Sequence, residues 1–502
     1  MASSAVKIQD LILETALGLK MSQFMKTIFA LTLFSFLLSC QVFSAAAHQR
    51  NRAIILTDIE ADPDDTESLV RLLLYSNVID IKGFIATTST HQKNNVYPES
   101  ILKVIQAYSK VQANLLKHEP GFPEADSLRL LVKKGIAQYG MQGVGDGKDS
   151  PGSTWIIKTV EENDARPLWI CVWGGPNTLA QALYEIRRTK SAADAKQLIS
   201  KLRVYTISDQ DDSGIWMRKN FPDLFYIVSP GGYGSSTWSA INSVGPGVRN
   251  EVISNRWLAE NIQQGHGPLG AVYPDVAYGM EGDTPSWLNL VPNGLSDPEH
   301  PDWGGWGGRY ELYRPEYSSL DTAGFTGGVP VEPEPRAMWT NAVDRFVPYV
   351  SREYGRAILP DTAAISSNKA TVWRWREDFQ NDFAARMDWC TKSYEEANHP
   401  PVPVLAHPDA ITVKSGERFC LNARGTTDPD GDNLSFVWFQ YLEAGSYKKV
   451  IPIGGADNLD ILWVTAPVVE RRETVHFILK VTDKGRLPLS RYKRVIVNVL
   501  PK

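Results

Sequence analysis

Cysteine is scarce in this chain. Only four of its 502 residues are cysteines, and Cys40 lies in a predicted N-terminal leader. The other three, Cys171, Cys390 and Cys420, are an odd number and stand far apart, which excludes the disulfide framework of a small exported domain. Cys171 lies in the apolar run 168–173 and is predicted to be a buried apolar side chain. A bridge between Cys390 and Cys420 stays open as an alternative.

An excess of positive charge is also absent. The chain has 52 Lys and Arg residues against 57 Asp and Glu residues, a formal net charge of -5. Without a basic surface, binding to duplex nucleic acid is not expected. Aromatic residues are frequent, with 15 Trp and 19 Tyr, and such rings fill cores or stack on sugars and bases.

The apolar run near the N-terminus is too short to span a membrane. It covers residues 27–38, follows Lys26, and falls below the roughly 20 residues of a spanning helix. This pattern predicts an export signal. We therefore expect residues 1–47 to be a signal peptide with an upstream extension, cleaved after Ala47, and the mature chain to be periplasmic or extracellular. The alternative is a lipoprotein box at 37–40, which would leave Cys40 lipidated.

Between residues 50 and 395, short apolar runs alternate with segments of helical periodicity. The predicted strands are 53–56, 79–87, 168–173 and 202–207, and the predicted helices are 66–75, 98–108, 152–163, 178–189, 337–353 and 370–397. This alternation predicts an α/β domain with a doubly wound, mostly parallel sheet and a binding site at the carboxyl ends of its strands. Residues 293–328 are predicted to be a long ordered loop.

A proline-rich linker at 396–406 is predicted to separate this domain from the rest of the chain. Beyond it, strand-like runs with intervening turns predict a small all-β, immunoglobulin-like sandwich at 407–502. The Asp-rich turn at 427–433 has Asn433 and Phe439 where an EF-hand loop has Gly and Glu. We therefore interpret it as a solvated turn rather than a second calcium site.

The most informative stretch is Asp58-Ile-Glu-Ala-Asp-Pro-Asp-Asp65, directly after the first predicted strand. Its carboxylates repel one another unless a cation neutralises them, and hard cations such as Ca²⁺ select oxygen ligands. A single Asp would suffice to cap the following helix. The stretch therefore favours a metal site, with an acidic helix cap as the alternative.

This stretch resembles a known signature. Asp58-x-Glu60-x-x-x-Asp64-Asp65 is similar to the Asp-x-Asp-x-x-x-Asp-Asp motif of the inosine-uridine-preferring nucleoside hydrolases, with Glu60 in place of the second Asp. Residues 173–180 resemble that family's Gly-Pro-Leu-Thr-Asn-Leu-Ala segment, and Glu281-Gly-Asp283 stands where the family has a His-Asp pair. Residues 281–286 and 303–310 look like a bacterial branch of nucleoside-hydrolase-like proteins with a C-terminal β-sandwich, some labelled cellulose-binding.

The resemblance, which covers residues 50–395, implies a catalytic Ca²⁺ held by Asp58, Asp65, the Asn177 carbonyl and Asp283. It also implies hydrolysis of the N-glycosyl bond of a nucleoside or a related glycoside. Asp58 would be the general base for water, and Asp64 would accept a hydrogen bond from a sugar hydroxyl. Glycosyl cleavage passes through an oxocarbenium-like transition state, which anionic surroundings stabilise.

Three residues differ from those of that family, and a fourth is added because it follows a strand. Glu60 is one methylene longer than the family's Asp, which leaves its role as a ligand or sugar contact open. His91 aligns with a sugar-contacting Asn and is a sugar contact, an acid tuned near neutral pH, or a structural residue. Glu281 is the nearest replacement for the missing His, as a general acid whose pKa a dry pocket would raise or as a surface residue. Asp209, after strand 202–207, is predicted to line the same pocket.

The loop Trp303-Gly-Gly-Trp-Gly-Gly-Arg-Tyr310 is predicted to cap the metal pocket. Its glycines allow the backbone to approach a ligand closely, and Trp303 and Trp306 offer faces on which a base or a sugar stacks. Core packing of both indoles is the alternative.

Three functions are compatible with these patterns. The leading hypothesis is an exported Ca²⁺-dependent hydrolase of nucleoside-like or related glycosyl compounds. The second is a protein that binds a cellulose-like polysaccharide on a degenerate hydrolase fold, and the third is a structural surface protein. The natural leaving group and the oligomeric state do not follow from the sequence.

Overall fold

The structure is a computed structural model that describes residues 49–245, 248–347, 352–353, 356–357, 364–453 and 458–502. The leader predicted at 1–47 lies outside the described residues. Within the described ranges, no helix is both long enough and apolar enough to cross a membrane. Residues Arg50–Lys502 form one compact unit.

The centre of this unit is an eight-stranded sheet. Its strands are β1 (Asn51–Thr57), β2 (Ile79–Ala86), β3 (Val132–Lys134), β4 (Leu168–Val172), β5 (Leu202–Thr206), β6 (Phe225–Ile227), β7 (Tyr310–Tyr313) and β8 (Met338–Asn341). The order is β3-β2-β1-β4-β5-β6-β8-β7. Only β7 runs antiparallel to its neighbour, so the predicted mostly parallel sheet is confirmed, with β1 between β2 and β4.

Helices cover both faces of the sheet. They are α1 (Asp64–Leu73), α2 (Pro98–Tyr108), α3 (Gln112–His118), α4 (Ala125–Leu130), α5 (Pro151–Glu161), α6 (Asn177–Thr189), α7 (Ala192–Ser200), α8 (Ser213–Asn220), α9 (Asn255–Leu258), α10 (Gly267–Ala271), α11 (Pro285–Leu288), α12 (Ala370–Trp373) and α13 (Arg376–Asp388). Alternate residues of β1 enter opposite cores: Ala53 and Ile55 pack in one, and Ile54 and Leu56 in the other. This period of two places an apolar layer on each face, as a doubly wound fold requires.

Residues 338–346 correct one helix prediction. Instead of the helix predicted from residue 337, the chain forms β8 and then β9 (Asp344–Phe346). In β8, buried Met338 and Thr340 alternate with half-buried Trp339 and Asn341, which is the pattern of a strand. Short pairs complete this region, β10 (Arg352–Glu353) with β11 (Arg356–Ala357) and β9 with β12 (Ile365–Ser367). The predicted loop 293–328 likewise contains a strand, β7.

The C-terminal region is an all-β sandwich. Its strands are β13 (Ala410–Lys414), β14 (Arg418–Asn422), β15 (Leu434–Gln440), β16 (Ile461–Thr465), β17 (Glu473–Asp483) and β18 (Ser490–Leu500). They form a four-stranded sheet, β13-β18-β17-β15, and a two-stranded sheet, β14-β16. Residues of both sheets, among them Leu421 and Phe477, share one buried core. The sandwich is confirmed, although β16 was not predicted.

The sandwich and the α/β region share a buried interface. Tyr441, Ile478 and Tyr492 of the sandwich belong to the same apolar cluster as the core of the α/β region. Arg494 donates hydrogen bonds to the carbonyls of Leu295 at 2.8 Å and Gly304 at 2.9 Å. The two regions are therefore in direct contact, and the predicted boundaries at 395 and 407 stay predictions.

The cysteines agree with one expectation and contradict the other. Cys171 is fully buried in β4, as its apolar run predicted. Cys171, Cys390 and Cys420 are all free, so the alternative of a bridge between Cys390 and Cys420 is wrong.

Candidate functional site

The acidic stretch forms a tight turn between β1 and α1. The amide of Ala61 donates to the carbonyl of Asp58 at 2.9 Å, and the amide of Asp64 donates to the Asp62 carboxylate at 3.1 Å. Glu60 has a φ of 83°, a left-handed conformation that reverses the chain within the turn. As a result, the carboxylate oxygens of Asp62, Asp64 and Asp65 lie within 4.8 Å of one another.

These carboxylates line a cavity of about 580 Å³ at the carboxyl end of the sheet. Asp58, Asp62, Asp64 and Asp65 come from the turn, and Asp283 joins them from a distant part of the chain. Asp58, Asp64, Asp65 and Asp283 are each at most 5% exposed. The topology thus places around one cavity carboxylates that lie more than two hundred residues apart in sequence.

Burial raises the pKa of these acids. Desolvation is the main cause for Asp58, whose pKa is raised to about 7, and the charge of Asp62 adds to it. Desolvation, followed by repulsion from neighbouring carboxylates, raises the pKa of Asp64, Asp65 and Asp283 well above the ordinary value. Among the described residues, none of these carboxylates forms an ion pair with Lys, Arg or His. No ion pair therefore offsets the charge of the cluster, although Lys369 also lines the cavity.

The donor set fits a hard cation. The buried Oδ2 atom of Asp283 has no hydrogen-bond partner, although buried polar atoms normally have one. Several carboxylate oxygens at one point are the ligands that Ca²⁺ prefers. The geometry therefore accommodates the ion that the resemblance implies.

The segment that follows β4 packs directly behind Asp58. A Cβ placed on Gly174 would lie 2.6 Å from Oδ1 of Asp58, so only glycine allows this approach. The Asn177 side chain is fully buried, accepts from the hydroxyl of Thr87 at 2.8 Å and donates to the carbonyl of Gln138 at 2.7 Å. Asn177 does not itself line the cavity, and its carbonyl as a ligand stays a prediction.

Aromatic side chains form the wall that faces the carboxylates. Nε1 of Trp238 donates to Asp64 at 3.0 Å, and the Trp238 ring meets Tyr233 edge to face with centroids 5.6 Å apart. The Tyr233 hydroxyl lies 3.0 Å from Nε2 of His91, and Phe325 stacks on the His91 ring. Tyr278, 90% exposed, stands at the mouth. An acidic floor with an aromatic wall suits a polar ring such as a sugar.

His91 is the one predicted non-acidic contact that lines this cavity. Burial is the main cause that lowers its pKa, and Lys93 contributes in the same direction. The imidazole is therefore neutral near pH 7 and acts there as a hydrogen-bonding group.

Three predicted residues are placed elsewhere, which corrects the sequence-based expectation for each. Glu60 is exposed and accepts a hydrogen bond from Ser100 outside the cavity. Glu281 is fully buried behind the cavity, 2.5 Å from Nε of Arg71, because an ion pair compensates its burial. Asp209 lines a neighbouring cavity and pairs with Arg218 at 2.7 Å.

The tryptophan loop does not cap the cavity, which is a further correction. Trp303 stacks on His300 with centroids 4.0 Å apart and meets His476 of the sandwich edge to face. Trp306 is fully buried, and its Nε1 donates to the Tyr492 hydroxyl at 3.3 Å. The indoles lie at the interface with the sandwich because the loop that carries them leads into β7, at the edge of the sheet.

Several lining residues were not predicted. Asp62 belongs to the acidic stretch but falls outside the family signature, so its charge alone was the available signal. Tyr233 and Trp238 follow β6, a three-residue strand that the sequence did not reveal. Gln210, which donates to the Trp173 carbonyl at 2.5 Å, directly follows the predicted Asp209. Each lies after a strand end, where ligand sites of α/β sheets form.

Comparisons with known proteins agree with this architecture. Residues 52–310 match the family described as cellulose-binding Sde182, nucleoside hydrolase-like domain, and residues 418–499 match the C-terminal domain of cellulose-binding protein Sde0182. A solved nucleoside hydrolase-related hypothetical protein from Saccharophagus degradans, described as associated with carbohydrate metabolism, is 36% identical with a TM-score of 0.74. That match covers 90% of this chain and 100% of the other.

No curated protein matches the chain. The nucleoside hydrolase-like match spans more than half of the sequence and the C-terminal match covers most of the sandwich. The chain therefore belongs to the Sde182 family, which combines a nucleoside hydrolase-like domain with a C-terminal β-sandwich domain.

Proposed function

We propose that this protein is an exported, Ca²⁺-dependent hydrolase of N-glycosyl or related glycosyl compounds. One observation carries the proposal: Asp58, Asp64, Asp65 and Asp283 converge, buried and without ion pairs, in a single cavity. Burying carboxylates without compensation costs several kcal/mol. Such an arrangement is expected where a bound cation offsets the cost.

Asp58, Asp65, Asp283 and the Asn177 carbonyl would hold the ion, with Asp62 close enough to contribute. The ion would orient sugar hydroxyls and lower the pKa of a bound water. Asp58 would take the proton of the attacking water, and Asp64, fixed by Trp238, would accept a hydrogen bond from a sugar hydroxyl. The surrounding carboxylates would stabilise the positive charge that develops on the sugar.

The aromatic wall would hold the rest of the ligand. His91 and Tyr233 form a hydrogen-bonded pair that faces the carboxylates across the cavity. The pair would contact the leaving group or a sugar hydroxyl, the role that the sequence assigned to His91. Glu281 has no part in this proposal because Arg71 holds it behind the cavity.

A second candidate function is binding of a carbohydrate without turnover. Two observations favour it: the residue expected to protonate the leaving group, Glu281, does not line the cavity, and exposed Tyr278 and Phe325 stand at its mouth. The family name refers to cellulose binding, and a polysaccharide ligand would also fit an exported protein.

The test combines metal binding, ligand binding and turnover. We expect calorimetry to detect one Ca²⁺ per chain, and Asp58→Asn to reduce turnover of the best nucleoside or glycoside by about 10²-fold or more while the protein stays folded. Asp126→Asn, which changes an exposed carboxylate, is the matched control. Binding of a glycan with no hydrolysis would favour the second candidate, and failure to bind Ca²⁺ would refute the metal site.

A further inference from the structure

The carboxylates of the acidic cavity come from two separate segments of the chain. Asp64 and Asp65 begin helix α1, whereas Asp283 lies in a loop more than two hundred residues further on. Desolvation is the main cause that raises the pKa of Asp283, and the charges of Asp64 and Asp65 follow it. These like charges repel one another. Contacts outside the cavity must therefore hold the loop against α1.

Glu281, two residues before Asp283, makes such contacts with its side chain. The carboxylate is fully buried, and its Oε2 lies 2.5 Å from Nε of Arg71. Nη2 of Arg71 donates to its Oε1 at 3.0 Å. The hydroxyls of Tyr273 and Thr284 donate to the same carboxylate at 2.8 and 3.0 Å. Because Arg71 belongs to α1, the side chain of Glu281 ties the loop to that helix.

The backbone of Glu281 is bonded to the same helix. Its amide donates to Oε2 of Glu67 at 2.8 Å. Glu67 and Arg71 are four residues apart on α1 and therefore lie on the same face of the helix. The φ of Glu281 is 50°, a conformation that a non-glycine residue keeps only where surrounding contacts impose it. Two attachment points, one through the backbone and one through the side chain, fix Glu281 on α1.

Arg71 is itself held from a third direction. Its Nη1 donates to the carbonyl of Phe379 at 3.2 Å, and its Nη2 donates to the side chain of Gln380. Its Cζ lies 4.1 Å from the ring centroid of Phe383. All three of these residues belong to α13. Arg71 therefore cannot follow Glu281 if the loop moves, and the contact between α1 and the loop is rigid.

Gly282 continues the contact toward the cavity. A Cβ on Gly282 would lie 1.9 Å from Nε1 of Trp238, and the same Nε1 donates to Asp64 at 3.0 Å. Three consecutive residues thus make three different contacts: Glu281 binds α1, Gly282 packs on Trp238, and Asp283 lines the cavity. The two residues before Asp283 therefore set its position relative to Asp64.

We propose that Glu281 is a positioning residue for the calcium site, which holds Asp283 close to Asp64 and Asp65 before the ion binds. This inference rests on the proposed function in one respect, that these carboxylates bind Ca²⁺. A site formed in advance binds its ion more tightly, because folding has already ordered the ligands. Glu281 acts through Asp283 and touches neither the ion nor a sugar.

The test measures the dissociation constant (Kd) for Ca²⁺ by calorimetry on the full chain. Four forms are compared: the wild type, Glu281→Gln, Asp283→Asn and the double variant. Glu281→Gln keeps the shape of the side chain and removes the charge that pairs with Arg71. We expect it to raise the Kd by about tenfold or more, as is typical for residues that orient a metal ligand.

The double variant shows whether Glu281 acts through Asp283. Two residues that act on the same interaction have effects that do not add. In the Asp283→Asn background, Glu281→Gln should therefore raise the Kd by less than about threefold. A residue that only stabilises the fold would change the Kd by the same factor in both backgrounds.

Two further variants separate positioning from stability. Asp344→Asn is the matched control, because Asp344 is also a fully buried acid bonded to arginines but lies at the interface with the sandwich. It should lower the temperature of thermal unfolding and leave the Kd at the wild-type value. Tyr273→Phe removes only one hydroxyl from Glu281 and should raise the Kd by a smaller factor than Glu281→Gln. It provides the test if Glu281→Gln does not fold.

The outcomes separate this inference from the proposed function. The positioning role is refuted if Glu281→Gln and Tyr273→Phe keep the wild-type Kd, if the effects of Glu281→Gln and Asp283→Asn add, or if Asp344→Asn weakens binding equally. Each of these results leaves the proposed calcium site in place. If the wild type does not bind Ca²⁺, the proposed function fails and this inference fails with it.

Discussion

Two buried regions of this protein are rich in carboxylates, which are paired with arginines in one region and have no ion pair in the other. One is the interface between the α/β region and the sandwich, and the other is the acidic cavity. At the interface Asp344 accepts from Arg309 at 2.7 Å, Arg374 at 2.9 Å and the Tyr441 hydroxyl at 2.7 Å. Within the part of the chain that the structure describes, Asp58, Asp64, Asp65 and Asp283 of the cavity form no ion pair, and neighbouring carboxylates raise their pKa values.

The pKa shifts reflect this difference. Burial alone would raise the pKa of Asp344, but Arg374 and Arg309 outweigh it and the pKa is lowered. The same holds for Asp382, where Arg491 and Arg386 overcome burial. Burial of Asp283 has no such compensation, and its pKa is raised well above the ordinary value. The acids of the interface are therefore paired with arginines, whereas the acids of the cavity are those to which we assign the proposed cation.

Removal of the sandwich should have the largest effect on the interface. A chain ending at residue 406 would lose Tyr441 and Tyr492 from the shared apolar cluster and would expose Trp306 and Trp375, which pack against Tyr492. We expect it to be insoluble or unfolded, as measured by yield of soluble protein and circular dichroism. Soluble, folded protein that binds Ca²⁺ would show instead that the linker separates independent domains.

Asp344→Ala should have the next largest effect. It leaves Arg309 and Arg374 without their shared buried partner, which typically costs 3–5 kcal/mol, so the free energy of unfolding in urea should fall by about that amount. Glu311→Gln is the control, because Glu311 pairs with Arg309 from an exposed position and should change stability little. Equal losses in the two variants would contradict the special role of the buried pair.

The pH dependence of stability should reveal His476 at the interface. Burial, followed by the charge of Arg494, lowers its pKa to about 3, so the unfolded chain takes up a proton below about pH 6.5 and the folded protein does not. This contribution to stability is present above pH 6.5 and is lost as the pH falls toward 3, on the order of 3 kcal/mol at pH 4.

His476→Gln should therefore flatten the acid limb of the plot of unfolding free energy against pH. His300→Gln replaces an exposed imidazole beside the same Trp303 and should leave that limb in place. An unchanged limb in His476→Gln would show that other groups govern acid unfolding.

The smallest effect on stability is expected in the cavity, and its sign should depend on Ca²⁺. The raised pKa of Asp283 means that its stabilising contribution is present at low pH and lost as the pH rises. At pH 8 without Ca²⁺, Asp283→Asn should increase the free energy of unfolding, because the neutral amide replaces a buried carboxylate that has no ion pair.

With excess Ca²⁺ the wild type should become more stable than Asp283→Asn. The wild type gains stability from the bound ion, and the variant gains less. Thermal unfolding with and without Ca²⁺ measures both arms. The control is Asp223→Asn, which changes an exposed carboxylate outside the cavity. Its stability relative to the wild type should be the same with and without Ca²⁺. A variant that Ca²⁺ stabilises as much as the wild type would exclude Asp283 as a ligand.

Prediction from sequence succeeded where the signal was local. The strands β1, β2, β4 and β5 and the helices α1, α2, α5 and α6 followed from periodicity and capping signals, and the cluster of Asp58, Asp64 and Asp65 followed from carboxylates next to a strand end. Periodicity failed at β6, which has only three residues, and at β8, where the alternation is brief. Family resemblance brought Asp283 to the site, a placement that local reasoning does not supply.

Other residues were wrongly predicted to line the site, because the type of a residue and its position in the sequence do not determine where its side chain points. Trp303 and Trp306 have the character of ligand-binding residues, but their rings meet His476 and Tyr492 of the sandwich. Glu281 stands two residues before Asp283, but only Asp283 lines the cavity. At a φ of 50°, Glu281 directs its side chain to buried Arg71, while Asp283 reaches the cavity.

The sequence by itself therefore determined the longer strands of the parallel sheet and the helices between them, because helix and strand periods, capping and turn chemistry act between near neighbours in the chain. It also determined where unneutralised charge would accumulate. Which side chains face the cavity, which face the sandwich and which carboxylate finds an arginine were decided only by the tertiary structure. These choices depend on desolvation and on contacts between residues hundreds of positions apart, and no local pattern encodes them.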